Sequence, residues 1–177
     1  MKTRMRGDVC MNTDAVEGAK KAPEKEEDPI KATGRVRAVI RVQNMFLDRE
    51  IEFDLGKNIV TNNGLRMTLY RLKDNTSYAP VSHLAVGTSS AAESATQTAL
   101  GQEKTRKSAS ISVDTTKYKL IVSANFSSSE INGCQEVGIF NASTGGTMLA
   151  RKKFDTAIQI PEGFTAELKY EIRLYRA

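Results

Sequence analysis

Apolar and polar residues alternate with a period of two along most of the chain. Val36, Ala38, Ile40 and Val42 fall on one side of an extended segment opened by Gly34, and Arg35, Arg37, Arg41 and Gln43 fall on the other. Such alternation predicts a half-buried strand. A second strand sets Ile51, Phe53 and Leu55 against Glu50, Glu52 and Asp54 after a short connection. Antiparallel pairing of the two would place an arginine-rich face beside an acidic one. Opposite charges across strands are worth about 0.2–1 kcal/mol per pair, so these arginines need no nucleic acid to explain them. Leu84 and Val86 share one face of a strand over 81–87, with His83 on the other. Ala109, Ile111 and Val113, then Tyr118, Leu120, Val122, Ala124 and Phe126, predict a hairpin about Asp114–Thr116. The last strand alternates most regularly. Phe164, Ala166, Leu168, Tyr170, Ile172 and Leu174 interleave with Thr165, Glu167, Lys169, Glu171, Arg173 and Tyr175.

The period changes once. Leu65, Leu69 and Leu72 fall at i, i+4 and i+7, the spacing of one helix face. Thr61, Asn62 or Asn63 can cap the helix by accepting a backbone N–H bond. One short helix is expected, over about 61–73. Loops are expected at 74–80, at 88–102 and over the polar crossing 127–133. The most informative stretch is Cys134–Phe154. Val137 and Ile139 share a face, Asn141–Gly146 is a turn-rich connection with two glycines, and Met148 and Ala150 alternate with Thr147, Leu149 and Arg151. It predicts a hairpin with a longer loop. Eight or nine strands and one helix give an all-β fold, an antiparallel two-sheet β-sandwich. Val137, Ile139, Met148, Leu168, Tyr170 and Ile172 are its expected core.

Residues 1–33 show no such periodicity. Lys20–Pro29 is a mixed-charge run punctuated by proline, which cannot bury enough apolar surface to fold alone. The chain therefore divides into an extended N-terminal arm, 1–33, and a sandwich domain, 34–177. The arm is expected to drape over partner chains.

Composition narrows the chemistry. The 177 residues carry a net charge of +5. Basic and acidic residues balance in 1–33, so the excess falls on 34–177. Without interleaved aromatics or a dense basic cluster, that charge does not make nucleic acid an expected partner. Trp is absent, which counts against the aromatic platforms of sugar sites. No apolar run approaches the ~18 residues of a membrane span. The basic Met1–Arg6 is not followed by a signal-peptide apolar region. Cys10 and Cys134 make neither a disulfide framework nor a metal set, and free thiols are expected. Three Asn-x-Ser/Thr triplets, at Asn75, Asn125 and Asn141, are read as chance matches in the absence of a secretory signal. The 88–102 stretch holds serines but no Gly-x-Ser-x-Gly elbow and no phosphate loop. His83 stands without a Cys or carboxylate cluster. No catalytic residue, cofactor or metal is expected. A long loop in a small domain is often a contact loop. Thr88, Ser89, Asn141 and Thr144, with Arg4, Arg6, Lys20 and Lys21 on the arm, are the candidate protein-interface residues.

Five stretches, taken in order, resemble a known family. Ile59-Val60-Thr61-Asn62-Asn63-Gly64 is similar to a V-T-N-x-G motif that opens a helix, and His83–Thr88 to an I-A-V-G-T strand. Thr98–Glu103 with Arg106-Lys107 resembles T-x-L-x-x-E-x-x-R-K. Glu130–Phe140 resembles E-x-N-G-x-x-x-E-V-G-I-F-N, and Gly145–Arg151 resembles G-G-T-L-F-A-R. The family is that of small β-rich virion proteins of tailed bacteriophages, which are tail, baseplate or tail-fibre-associated components. The resemblance covers about residues 58–177. It implies a non-enzymatic virion structural protein, an assembly subunit of the tail, baseplate or neck or a fibre attachment. It would be made in the host cytoplasm and would contact copies of itself and other virion proteins. A capsid decoration protein and a receptor- or carbohydrate-binding module are the alternatives.

Overall fold

The structure, a computed structural model, describes residues 30–44, 47–73 and 76–176, and side-chain surroundings over 56–73 and 76–174. The described strands are β1 (Ile30–Asn44), β2 (Leu47–Val60), β3 (His83–Gly87), β4 (Glu103–Ser108), β5 (Ser110–Asp114), β6 (Lys119–Ser127), β7 (Glu136–Phe140), β8 (Met148–Lys153) and β9 (Thr165–Arg176). The helices are α1 (Asn62–Leu72) and the single turn α2 (Ser128–Ile131). Each ladder is antiparallel, in the order β4-β3-β7-β8-β2-β1-β9-β6-β5.

That order runs through two sheets. β2 pairs β1 from Leu47 to Asn58, then gives only Ile59 and Val60 to β8. It is the seam between a five-stranded sheet, β2-β1-β9-β6-β5, and a four-stranded one, β4-β3-β7-β8. On the opposite side only Ala109 separates β4 from β5. One extended stretch thus leaves the edge of the smaller sheet and becomes the edge of the larger. The described residues form an all-β fold, with two antiparallel sheets and one substantial helix. β1 starts at Ile30, opposite Arg176, four residues before Gly34. The rest of the expected arm, 1–29, lies outside the described residues. The β1–β2 register sets Arg37 opposite Asp54 and Arg41 opposite Glu50.

The core lies between the sheets because the alternation points one face of β3, β6, β7 and β9 inward. Val122, Ala124 and Phe126 of β6 stand opposite Tyr170, Leu168 and Ala166 of β9. They join one buried cluster with Leu84, Val86, Val137, Ile139, Leu149 and Ala150 of the smaller sheet. Fully burying a side chain of this size contributes about 1.5–3 kcal/mol. Val137, Ile139, Leu168, Tyr170 and Ile172 belong to this cluster. Met148 is equally buried but faces the other way, in a second cluster with Ala85, Leu100 and Phe140. That second cluster exists because the stretch between β3 and β4 folds back over the outer face of the smaller sheet. β7 is consequently buried at every residue.

The helix falls where the sequence places it, with Thr61 as N-cap. Its leucines share a face, and that face is the exposed one. Leu65, Leu69 and Leu72 point to solvent, and Gly64 and Met67 are the buried residues of α1. The cap fixes this rotation. Thr61 Oγ1 donates to Met148 O (2.6 Å) and accepts from Gly64 N (2.9 Å), and Thr61 N donates to Leu149 O (3.0 Å). Gly64 then lies on the β8 backbone, where a Cβ would stand 2.1 Å from Leu149 O. Met67, one turn on, enters the core. The stretch 127–133, expected as a polar loop, holds α2, closed by a Ser127/Glu130 capping box. β4 is a further strand that charge-rich Glu103–Ser108 did not announce.

Candidate functional site

The 88–102 stretch is held down from beneath. Glu136 opens β7 and Arg151 lies in β8, and both side chains are wholly buried. Arg151 Nε donates to Glu136 Oε2 at 2.9 Å. Its remaining guanidinium nitrogens donate to Ala91 O, Ala92 O and Gln97 Oε1 at 3.0–3.2 Å. The carboxylate accepts Gly101 N, Gln102 N and Ser89 N at 2.8–3.3 Å. Removing two charges from water is costly unless every polar atom finds a partner. Here one long loop supplies those partners, through its backbone and the Gln97 side chain. Leu100 completes the cover by plugging the second apolar cluster. The pair is a clamp on the loop, sealed from solvent and from any substrate.

The candidate interface residues stand around this clamp and its neighbouring hairpin loop. Thr88 Oγ1 donates to Gln102 Oε1 (2.8 Å), and Ser89 Oγ accepts Ala91 N (3.2 Å). Asn141 Oδ1 accepts Thr147 N (2.7 Å), closing the loop that Gly145 and Gly146 turn in the left-handed region. Arg106 holds that loop too, donating to Ala142 O and Gly145 O while its guanidinium lies 3.7 Å from the centre of the Phe140 ring. Three of the four thus have side chains committed within the fold, and Thr144 alone is exposed at the tip. Arg4, Arg6, Lys20 and Lys21 lie outside the described residues.

Among the described residues the reactive side chains gather no catalytic geometry. His83 Nδ1 meets Ser82 Oγ at 2.7 Å, and Nε2 meets Ser108 Oγ at 3.4 Å. Among the described residues no carboxylate hydrogen-bonds the ring, and no cluster of His, Cys, Asp and Glu has metal-binding form. Cys134 is buried, its Sγ donating to Glu130 O (3.5 Å), and burial pushes its thiol pKa up. No helix of the described residues is long and apolar enough to cross a membrane.

What the surface does offer is apolar area in two places. On α1, Leu69 is 67% and Leu72 80% exposed, and Leu65 and Tyr70 flank them. Leu69, Tyr70 and Lys73 line a shallow depression of about 260 Å³. The second place is the β5 end of the larger sheet. Ile111 stands opposite Val122 and Val113 opposite Leu120, in line with the core rows, yet both are exposed, Val113 at 66%. Tyr118 and Leu174 continue the patch beyond the last covered row. Burial along β9 falls from none of Tyr170 accessible to 8% of Ile172 and 47% of Leu174. Sequence reasoning missed both surfaces. The leucine spacing of α1 was visible, but nothing local said which side would meet the sheet. Ile111 and Val113 alternate like any core strand. The clamp had a signal, a charged residue at the border of each otherwise apolar word, Glu136 before Val-Gly-Ile-Phe and Arg151 after Met-Leu-Ala. No family model, no curated protein and no solved structure matches this chain.

Proposed function

We propose that this chain is a non-enzymatic structural subunit of a tailed-bacteriophage particle, working by protein–protein contact on the tail, baseplate, neck or a fibre attachment. The observation that carries the contact role is the pair of exposed apolar surfaces on a body whose 88–102 and 141–146 loops are pinned. Contiguous exposed apolar area marks interaction sites, and the leucine face of α1 points directly away from the domain that holds it. The rigid body suits repeated addition to a symmetric assembly. The resemblance of five ordered sequence stretches to virion proteins supplies the address. Made in the host cytoplasm, the chain would join the virion through copies of itself and other virion proteins. Mass spectrometry and antibody labelling of purified particles test this reading. Stoichiometric presence in washed particles is expected. A chain absent from washed particles overturns it.

A further inference from the structure

The sandwich has three open strand edges among the described residues, and they are not alike. The outer edge of β2, which β8 covers only at Ile59 and Val60, carries Asp48, Arg49, Glu50, Glu52, Asp54 and Lys57. The outer edge of β4 carries Glu103, Lys104, Arg106 and Lys107. Charged residues on an edge strand discourage pairing with another chain. β5 has no such protection. Its sequence is Ser110-Ile-Ser-Val-Asp114, with a single charge at its end. That charge is turned into its own hairpin, Asp114 Oδ1 accepting Thr116 N, Thr116 Oγ1 and Lys117 N at 2.6–3.1 Å. β5 pairs β6 on one side, and no described residue pairs its other side. It is also the strand whose apolar side chains the fold leaves exposed.

We propose that β5 is the homodimer edge of this chain, pairing antiparallel with β5 of a second copy across a two-fold axis at Ser112. The segment is self-complementary in that register. Ile111 of each copy meets Val113 of the other on the face that continues the core, so the row that ends in solvent is completed by its own duplicate. On the opposite face Ser110 meets Asp114 and Ser112 meets Ser112, with no like charges opposed. Cross-strand apolar pairs of this kind are the unit of sheet stability. The pairing joins two five-stranded sheets into one continuous sheet. It also closes at two copies, because each copy spends its one unprotected edge and the symmetric contact is used up. Tyr118 and Leu174 lie at the end of the same face. The proposal names the self-contact of the assembly subunit proposed above, and so rests on that reading for its purpose but not for its geometry.

The test uses the full chain. Sedimentation and light scattering at tens of micromolar should show a dimer. Val113→Lys, at a solvent-exposed position the fold does not need, should raise its dissociation constant about tenfold or more, since the change removes two apolar pairs. In a Cys10→Ser background, Ser112→Cys should give a disulfide-linked dimer under mild oxidation. Ser110→Cys should not, because four residues of offset separate the two copies' positions by about 13 Å along the strand. A monomer at these concentrations overturns the proposal. So does an oligomer indifferent to Val113→Lys, or equal cross-linking at 110 and 112. A chain present in particles but monomeric in solution would sink the β5 dimer and leave the virion reading standing. A dimer absent from particles would do the reverse.

Discussion

The two sheets are built from the same alternating pattern and end in opposite conditions. In the four-stranded sheet β3, β7 and the start of β8 are covered on both faces, the inner by the core and the outer by the 88–102 stretch. In the five-stranded sheet the inner face outruns its cover, and Val113, Tyr118 and Leu174 continue the core rows into solvent. Alternation records which side chains share a face. It does not record what lies over that face. In the smaller sheet the cover comes from a distant loop, recruited by two buried charges rather than by apolar area alone. In the larger sheet nothing described recruits one. The covered sheet makes the body rigid, and the uncovered one leaves a surface for another chain.

The most direct way to break the contrast is to release the clamp. Arg151→Ala strands the buried Glu136 carboxylate and leaves Ala91 O, Ala92 O and Gln97 Oε1 without their donor. Breaking a buried pair by removing one partner costs about 3–5 kcal/mol. Urea unfolding should report that loss, and limited proteolysis should cut within 88–102 before the rest. A loss under about 1 kcal/mol, with the loop still protected, would mean that Leu100 and the apolar cluster hold it unaided.

That pair also marks the boundary of what the sequence could tell. β9, the β5–β6 hairpin, the 134–154 hairpin and the capped helix after Thr61 were all readable, because each depends on neighbours within a few residues. The two-sheet all-β class follows from them. Orientation and cover were not readable, because they depend on contacts between residues far apart in the chain. Glu136 and Arg151 were visible as charges in apolar company, but their partners in the loop lie 34–60 residues away. The same reason hid the candidate surface. Thr88, Ser89 and Asn141 look like contact residues by composition, and their side chains turn out to hold loops shut. Leu69 and Leu72 look like core by spacing and are the most exposed of the large apolar side chains of α1.

The orientation of α1 gives the next test. Gly64→Ala would raise helix propensity by up to about 1 kcal/mol, but its Cβ would stand 2.1 Å from Leu149 O, a backbone atom that cannot swing aside. The clash wins, and a net loss of about 1–3 kcal/mol is expected from overpacking. Leu69→Gln, on the opposite side, should change stability by no more than about 0.5 kcal/mol. Thermal unfolding of the two variants decides the matter. If Leu69→Gln proves the costlier change, the helix docks by its leucines and one of the two apolar surfaces disappears.

A smaller, pH-dependent effect separates α2 from its surroundings. Burial alone would raise the Glu130 pKa. The hydrogen bond from Lys107 Nζ (2.7 Å), with those from Ser127 N and Oγ, outweighs it and holds the group below 4.5. A carboxylate whose pKa is depressed on folding stabilises the fold above its unfolded value, and that contribution is lost as pH falls through the folded one. Glu130→Gln should therefore be less stable than the parent at pH 7. The gap should close as the pH falls below about 4.5. A gap unchanged between pH 7 and pH 3 would show that the box works by shape rather than by charge.

The smallest effect bears on the uncovered sheet itself. Tyr118 closes the β5–β6 hairpin with φ of 52°, the one described residue other than glycine in the left-handed region. Its ring is 70% exposed, so packing within the chain does little to offset the strain. Asn tolerates this conformation better, and Tyr118→Asn should stabilise the monomer by about 0.5 kcal/mol, a fraction of the left-handed penalty. If the exposed end of the sheet is a contact surface, the same change should weaken the dimer by removing apolar area at that end. Unfolding measured at low concentration and sedimentation at high concentration read the two effects separately. Opposite signs would assign the strain at Tyr118 to the interface. A variant both more stable and equally dimeric would confine the contact to β5, and one less stable would place the ring among the supports of the hairpin.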